Sequence, residues 1–309
     1  MVINITAFIV VIFLTILIQK IFINYKKFDE INQRSSHTSL ATRTGGIGIV
    51  LSLFLISIYN YSFGIEIFDY SLFIPLGIMF IVGVYDDLHN ANFKLKFFLQ
   101  IIVAKILIDQ GLVITNYHGL FGLYEVSWII AQFTTVFFFL VIVNAINFID
   151  GIDGLAITEV IKILLIIKLF SGNSSYIITL NDLIISSLIP LYYFNFKKNN
   201  KVFLGDGGSL FLGTLVGISI LHVLGPEFSF KEGFYLNKTI FTSLICIYPL
   251  TDLLRVFVIR VSKGKSPFSP DKKHIHHFLM KRLNSELKVI FGIQVLSVSF
   301  LILIYLISI

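Results

Sequence analysis

The chain has 309 residues, 56% of them hydrophobic and 14% charged, with a formal net charge of +6. A soluble domain of this length would carry about 25% charged residues, so the composition excludes an ordinary water-soluble enzyme. The only cysteine, Cys246, excludes an intrachain disulfide and any multi-cysteine zinc site.

Apolar runs long enough to cross a bilayer recur from end to end. The first, Val2 to Ile23, has no basic region before it and no small-residue cleavage site after it, and reads as a retained helix. The pattern predicts about ten spans, at roughly 2–24, 45–61, 69–85, 95–111, 127–146, 154–171, 176–195, 208–225, 238–259 and 287–308. Lys105 interrupts the fourth, and Lys162 and Lys168 the sixth, where they snorkel or face the bundle. No repeat and no linker to a soluble domain is evident. The expected fold is all-α and polytopic, one integral-membrane domain over 1–309. Lys and Arg gather in one alternating set of loops, from Lys26, Lys27, Arg34 and Arg43 through Lys94 and Lys96 to Lys281 and Arg282. That bias predicts a cytoplasmic location for those loops and places both termini outside. No nucleic-acid partner is expected; the partner surface is the bilayer.

Every notable polar cluster falls on the predicted cytoplasmic side: DEINQRSSHTSLATRTGG (29–46), DDLHNANFKLK (86–96), NFIDGIDG (147–154), KKNNKVFLGDGGS (197–209) and SPFSPDKKHIHH (266–277). Five clusters on one face predict one composite site. Asp86 and Asp87 follow an apolar run directly, and adjacent carboxylates there call for a cation or a proton; the plainer reading is a helix cap and a solvated charge. Asn144, Asn147, Asp150 and Asp153 recur every three residues, and share a face only if the helix loosens near Gly151, where glycine would let backbone N–H groups approach a ligand. Turn formation is the plainer alternative. Asp206 in GDGGS suits a helix cap or a functional site equally. His274, His276 and His277 have basic neighbours and fit an anion better than zinc. Acids for a magnesium ion and bases for phosphates together describe phosphoryl transfer.

Four motifs in order, DD at 86–87, NAINFIDGIDGLA at 144–156, VFLGDGGSLFLG at 202–213 and SPFSPDKKHIHH at 266–277, resemble the polyprenyl-phosphate N-acetylhexosamine-1-phosphate transferases. The opening DEINQRSSH…RTGG adds a fifth match, closer to the lipopolysaccharide and O-antigen branch than to the peptidoglycan translocases, with Ile31 where the family usually has proline. The resemblance implies transfer of a sugar-1-phosphate from a UDP-sugar to undecaprenyl phosphate at the bacterial inner membrane, with release of UMP. It implies Mg²⁺ as cofactor, Mn²⁺ being the alternative ion, held by Asp206 with Asn147 as second ligand. Phe203 would stack on uracil, Gly151 to Asp153 would lie near the uridine, and Lys96 would reach the phosphates. Asp86, Asp87, Asp150, Asp153 and His276 form the expected catalytic set. Lys94, Asn144, His274, His277, Arg34 and His37 complete the expected substrate contacts. UDP-N-acetylglucosamine is the first expected donor, with UDP-linked 6-deoxy amino sugars next. O-antigen or a related surface glycan is the expected product pathway, and a homodimer is the expected assembly.

Two rivals carry contrary signatures. A transporter would gather ionisable residues near the bilayer midplane. A CDP-alcohol phosphotransferase would place Arg soon after DG and two Asp a helix later, and GLAITEVIKILLIIKLF has neither.

Overall fold

The computed structural model describes residues 2–29, 40–89, 91–266 and 273–308. Among these, twelve α-helices follow in order: α1 (Val2–Asn24), α2 (Gly45–Ser62), α3 (Phe73–His89), α4 (Phe93–Asp109), α5 (Trp128–Ile149), α6 (Leu155–Phe170), α7 (Tyr176–Asn195), α8 (Gly205–Leu224), α9 (Lys238–Ile245), α10 (Ile247–Val261), α11 (Ile275–Leu283) and α12 (Glu286–Ser308). Helices close all backbone hydrogen bonds within one segment, which a hydrocarbon solvent demands. Most predicted runs therefore become helices, with limits that agree to within about four residues. Seven of the described helical stretches are long and apolar enough to cross a membrane. At 17 and 16 residues, α4 and α6 fall at or just under the lower limit for a span. The run expected as one span at 238–259 is two helices, divided at Cys246.

Helix α8 is the axis. Residues 207–224 are all buried, and α2, α3, α5, α6, α7 and α9 pack around it. Glycines make this possible. A Cβ on Gly83 of α3 would lie 2.2 Å from the carbonyl oxygen of Asp206, so the two backbones touch at the first turn of α8. Close approach through small residues is how helices associate where lipid removes any hydrophobic drive. The entry to α8 is fixed by a short parallel bridge, β1 (Ala41–Thr42) on β4 (Lys201–Val202). Phe203 extends it: its N–H donates to Thr42 O at 2.8 Å, and its carbonyl accepts from Gly45 N at 2.9 Å. At the opposite end, β2 (Asn116–Leu120) and β3 (Leu123–Glu125) form an antiparallel hairpin that the sequence reading did not anticipate.

The lysines inside apolar runs find acids. Lys162 pairs with fully buried Glu159, and Gln294 of α12 donates to the same carboxylate at 2.9 Å. Lys168 meets Asp182 at 2.8 Å. Lys162 faces the bundle and is satisfied there, whereas Lys168 is exposed.

Candidate active site

The polar residues converge where α3, α4, α5 and α8 meet at one end of the bundle. Asp87 closes the last turn of α3 against α8. Its Oδ1 and Oδ2 accept from the backbone N–H groups of Asp206 and Gly207, each at 3.0 Å. Helix α8 has no capping side chain of its own, so a carboxylate from another helix satisfies its first donors and complements its dipole. Arg43 donates to Asp87 Oδ1 at 3.1 Å and pairs with Asp29 at 2.6 Å.

Asp86, one residue earlier, turns the other way. It accepts from Lys96 of α4 and from the N–H of Ala91 at 2.7 Å. The Lys96 ammonium also lies 3.9 Å from Asp206 Oδ2. Asp206 Oδ1 accepts from the Asn147 amide at 3.0 Å, and the same amide donates to Ser209 Oγ at 2.7 Å. Asp86, Lys96, Asn147 and Asp206, distant in sequence, thus form one connected constellation. Asn144 lies a turn from Asn147, exchanging hydrogen bonds with Gln100 at 2.7 and 3.4 Å. Both amides line a cavity of about 100 Å³ with Lys96, Gln100, Phe93, Phe97, Phe148 and Leu210.

The expected loosening of α5 near Gly151 is replaced by an ending. The helix stops at Ile149 and Asp150 occupies its C-cap. Burial, then the neighbouring charges of Asp206, Asp87 and Asp153, push the Asp150 carboxyl up to about 8. Asp153 is buried and paired with Lys201. The turn is pinned by Asn195, whose side chain accepts from Gly154 N at 2.5 Å and donates to Val202 O at 3.0 Å. Gly151 serves a packing purpose: a Cβ there would lie 2.5 Å from Nε2 of His276.

His276 is fully buried, with the hydroxyl of Tyr248 3.2 Å from its Nδ1. Burial, then the nearby His277, pulls its imidazole down to about 3, leaving it neutral. His274 donates through Nδ1 to Asp252 at 2.6 Å. His277 lies beside His276, ring centroids 4.4 Å apart. Phe203 is half-buried at the mouth of α8, and the Lys94 side chain is exposed at the start of α4. Arg34, His37 and Ile31 lie outside the described residues. The three histidines thus lie together, His274 hydrogen-bonded to Asp252 and His276 neutral.

Gln100, Tyr248 and Asp252 belong to this environment and were not expected in it, while Ser209 and Arg43 fall in the expected clusters without having been singled out. For Ser209 the signal was present in GDGGS; for Asp252 it was an acid inside an apolar run.

Five carboxylates (Asp86, Asp87, Asp150, Asp153 and Asp206) share these surroundings with three bonded cations, Arg43, Lys96 and Lys201. The crowding that keeps Asp150 protonated fits a cation beside the remaining carboxylates. Among the described residues, no three His, Cys, Asp or Glu side chains form a metal cage. Asp206 with the Asn147 amide beside it is a donor set of the kind magnesium takes, one or two carboxylates with water and substrate phosphates completing the shell.

The sequence profile described as glycosyl transferase family 4 matches residues 70–224. The chain is 32% identical over 288 residues to a probable undecaprenyl-phosphate N-acetylglucosaminyl 1-phosphate transferase of Bacillus subtilis, covering 89% of this chain and 76% of that one. It is 30% identical over 268 residues to the undecaprenyl-phosphate alpha-N-acetylglucosaminyl 1-phosphate transferase of Escherichia coli K12, covering 82% and 69%. A decaprenyl-phosphate N-acetylglucosaminephosphotransferase of Mycobacterium leprae is 26% identical over 289 residues, covering 84% and 71%.

Proposed function

The chain belongs to glycosyl transferase family 4, and we propose that it transfers N-acetylglucosamine-1-phosphate from the UDP-sugar to undecaprenyl phosphate. The observation that carries this reading is the constellation of Asp86, Lys96, Asn147 and Asp206 beside the α8 N-terminus, supported by the activity for which the relatives are named.

An oxygen of the lipid phosphate attacks the phosphorus that bears the sugar. The bond from that phosphorus to the bridging oxygen breaks, and UMP departs with the electron pair. Two anions must meet, so catalysis is mostly positioning and charge neutralisation. Asp206, with Asn147 beside it, would hold Mg²⁺, which would neutralise pyrophosphate charge. Lys96, between Asp86 and Asp206, would meet the phosphates. The second phosphate pKa is about 6, so the acceptor is largely a dianion at neutral pH, and Asp86 takes the residual proton. Asp87 has both oxygens committed to the α8 N-terminus and to Arg43, which favours direct attack over a covalent enzyme intermediate. Phe203 stacks on uracil, and the His274–His277 segment faces the pyrophosphate or sugar.

The membrane setting extends the reading. Ten spans with both ends outside, as the distribution of Lys and Arg favours, would put the basic loops and the site on the cytoplasmic face of the inner membrane, where UDP-sugars are made. The product would then enter O-antigen or a related surface glycan, from a homodimeric enzyme. The decisive assay incubates the purified chain with radiolabelled UDP-N-acetylglucosamine, undecaprenyl phosphate and Mg²⁺. Label appearing in a lipid-soluble product, with UMP released in equal amount, is the expected outcome. Labelled lipid with a 6-deoxy amino sugar donor alone would move the donor assignment, and no transfer with either would defeat the reading.

A further inference from the structure

Helix α10 interrupts its apolar surface with three polar residues at one-turn spacing, Tyr248, Asp252 and Arg255. Residues three and four apart lie on one helix face, and all three side chains meet the segment 273–276. Arg255 donates to the carbonyl of Lys273 at 2.6 Å. Asp252, fully buried, divides its carboxylate: Oδ2 accepts from His274 Nδ1 and Oδ1 accepts from the Ile275 N–H, both at 2.6 Å. The second bond caps α11, whose N-cap residue His274 makes no side-chain cap. The Tyr248 hydroxyl reaches His276 Nδ1. The two imidazoles are almost parallel, 13° apart with centroids at 5.5 Å.

Mere attachment of a loop needs backbone contacts, and the Arg255 and Ile275 bonds supply them. The bonds to the two Nδ1 atoms do something else. An ionised carboxylate only accepts, so His274 must carry a proton on Nδ1. A buried carboxylate on one imidazole nitrogen fixes the ring and its tautomer and makes the other nitrogen more basic. At His276, Nε2 is buried without a hydrogen-bond partner and is aimed at Gly151, in the turn that carries Asp150 and Asp153.

We propose that Asp252 and Tyr248 are positioning residues that set opposite tautomers on His274 and His276, through the two Nδ1 contacts made from one face of α10. Asp252 accepts a hydrogen bond from Nδ1–H of His274, which keeps the proton there and leaves its Nε2 as the basic nitrogen. Tyr248 donates into Nδ1 of His276 and leaves Nε2–H as a donor directed at the 150–154 turn. This assignment rests on the transferase reading for its effect on rate, but the tautomers themselves do not depend on it.

The test uses the full-length chain in detergent micelles, labelled with ¹⁵N-histidine, at a pH where free imidazole is neutral. Protonated and unprotonated ring nitrogens resonate far apart, and His274→Gln and His276→Gln spectra assign the signals. The expected wild-type pattern is a protonated Nδ1 on His274 and a protonated Nε2 on His276. Asp252→Asn should erase the preference at His274 alone, and Tyr248→Phe that at His276 alone. With UDP-N-acetylglucosamine and undecaprenyl phosphate as substrates, Asp252→Asn should lower kcat by about 10- to 100-fold, the usual cost of losing a partner that orients a working histidine, while KM for the UDP-sugar changes little. Wild-type nitrogen shifts that survive in both variants would overturn the proposal, as would a kcat loss that only follows a lowered Tm. A wild-type protein with the expected tautomers but no transfer activity would defeat the transferase reading and leave this inference standing.

Discussion

Helices α8 and α12 are both long, apolar and free of turn-breaking prolines, yet they occupy opposite environments. The apolar stretch of α8 is buried along its whole length, whereas only 22% of that of α12 is buried. The difference lies in the small residues. Gly207, Gly208, Ser209, Gly213, Thr214, Gly217 and Ser219 line α8, and neighbouring backbones approach it from every side. Leu287, Phe291, Leu296 and Leu303 stay exposed along α12, as expected for a lipid-facing surface. An apolar run announces a membrane helix; small residues within it announce the centre, and the acid at its mouth announces the site.

The sharpest way to break that contrast is to change the mouth of α8 while leaving its packing intact. Asp206→Asn should lower kcat by about 10³-fold, since losing a metal-bound carboxylate forfeits several kcal/mol of transition-state stabilisation. Its Tm should stay near wild type. Near-normal turnover at limiting Mg²⁺ would remove Asp206 from the metal assignment. Asp86→Asn should cost on the order of 10²-fold in kcat, the range for a residue that handles or positions a proton. If that variant merely needs more Mg²⁺, Asp86 is a metal ligand instead.

Uridine recognition comes next. Phe203→Ala should weaken UDP-sugar binding by roughly 5- to 150-fold, because stacking a base on an aromatic ring is worth about 1–3 kcal/mol. Phe203→Trp should recover much of it, and KM for undecaprenyl phosphate should hardly move. Equal UMP affinity in calorimetric titrations of wild type and Phe203→Ala would make the ring an anchor of the α8 entry only.

Burial at the site end also predicts a pH dependence. The native His276 imidazole stays neutral down to about 3, whereas an unfolded chain protonates its histidines near pH 6.5. The stability linked to His276 is therefore fully present above about 6.5 and is lost as pH falls towards 3. Between pH 6.5 and 5 the loss is roughly 2 kcal/mol, at about 1.4 kcal/mol per pH unit. Thermal melts of wild type and His276→Gln should converge as pH is lowered through this window. Parallel curves would mean that His276 takes up its proton without cost.

Much of this arrangement was legible in the chain. Lipid imposes a length and a composition on every span, so helix limits from α1 to α8 agreed with the reading to within a few residues. The motif residues did converge, because Asp86 and Asn147 stand near the end of an apolar run and Asp206 at the start of one, all at the same side. What stayed hidden depends on partners far apart in sequence. Nothing near Asp87 tells that it caps α8, and nothing near Gly151 tells that its missing Cβ admits His276. Asp252 lies within a run read as a single span, and its meaning comes only from His274, 22 residues on. The division at Cys246 did leave a mark, Pro249 in the first turn of α10, which has no N–H to carry the preceding helix onward, but the reading took the run as one span.

The smallest effect tests the packing contrast itself. Gly83 and Gly292 are both helical glycines, on α3 and α12. A Cβ on Gly83 would meet Asp206 O at 2.2 Å and Gly207 Cα at 2.5 Å, whereas one on Gly292 meets nothing within 4 Å. Gly83→Ala must therefore push α3 off the first turn of α8, a strain of about 1–3 kcal/mol by the measure of overpacked cores. It should also dislodge the N–H groups held by Asp87, so activity should fall with Tm. Gly292→Ala has only the propensity term, a gain of up to about 1 kcal/mol where alanine replaces glycine in a helix, and its Tm should stay level or rise slightly with full activity. The two variants differ from wild type by the same methyl group, so composition cannot separate them. If Gly83→Ala proves as harmless as Gly292→Ala, close backbone contact is not what places α8 at the centre.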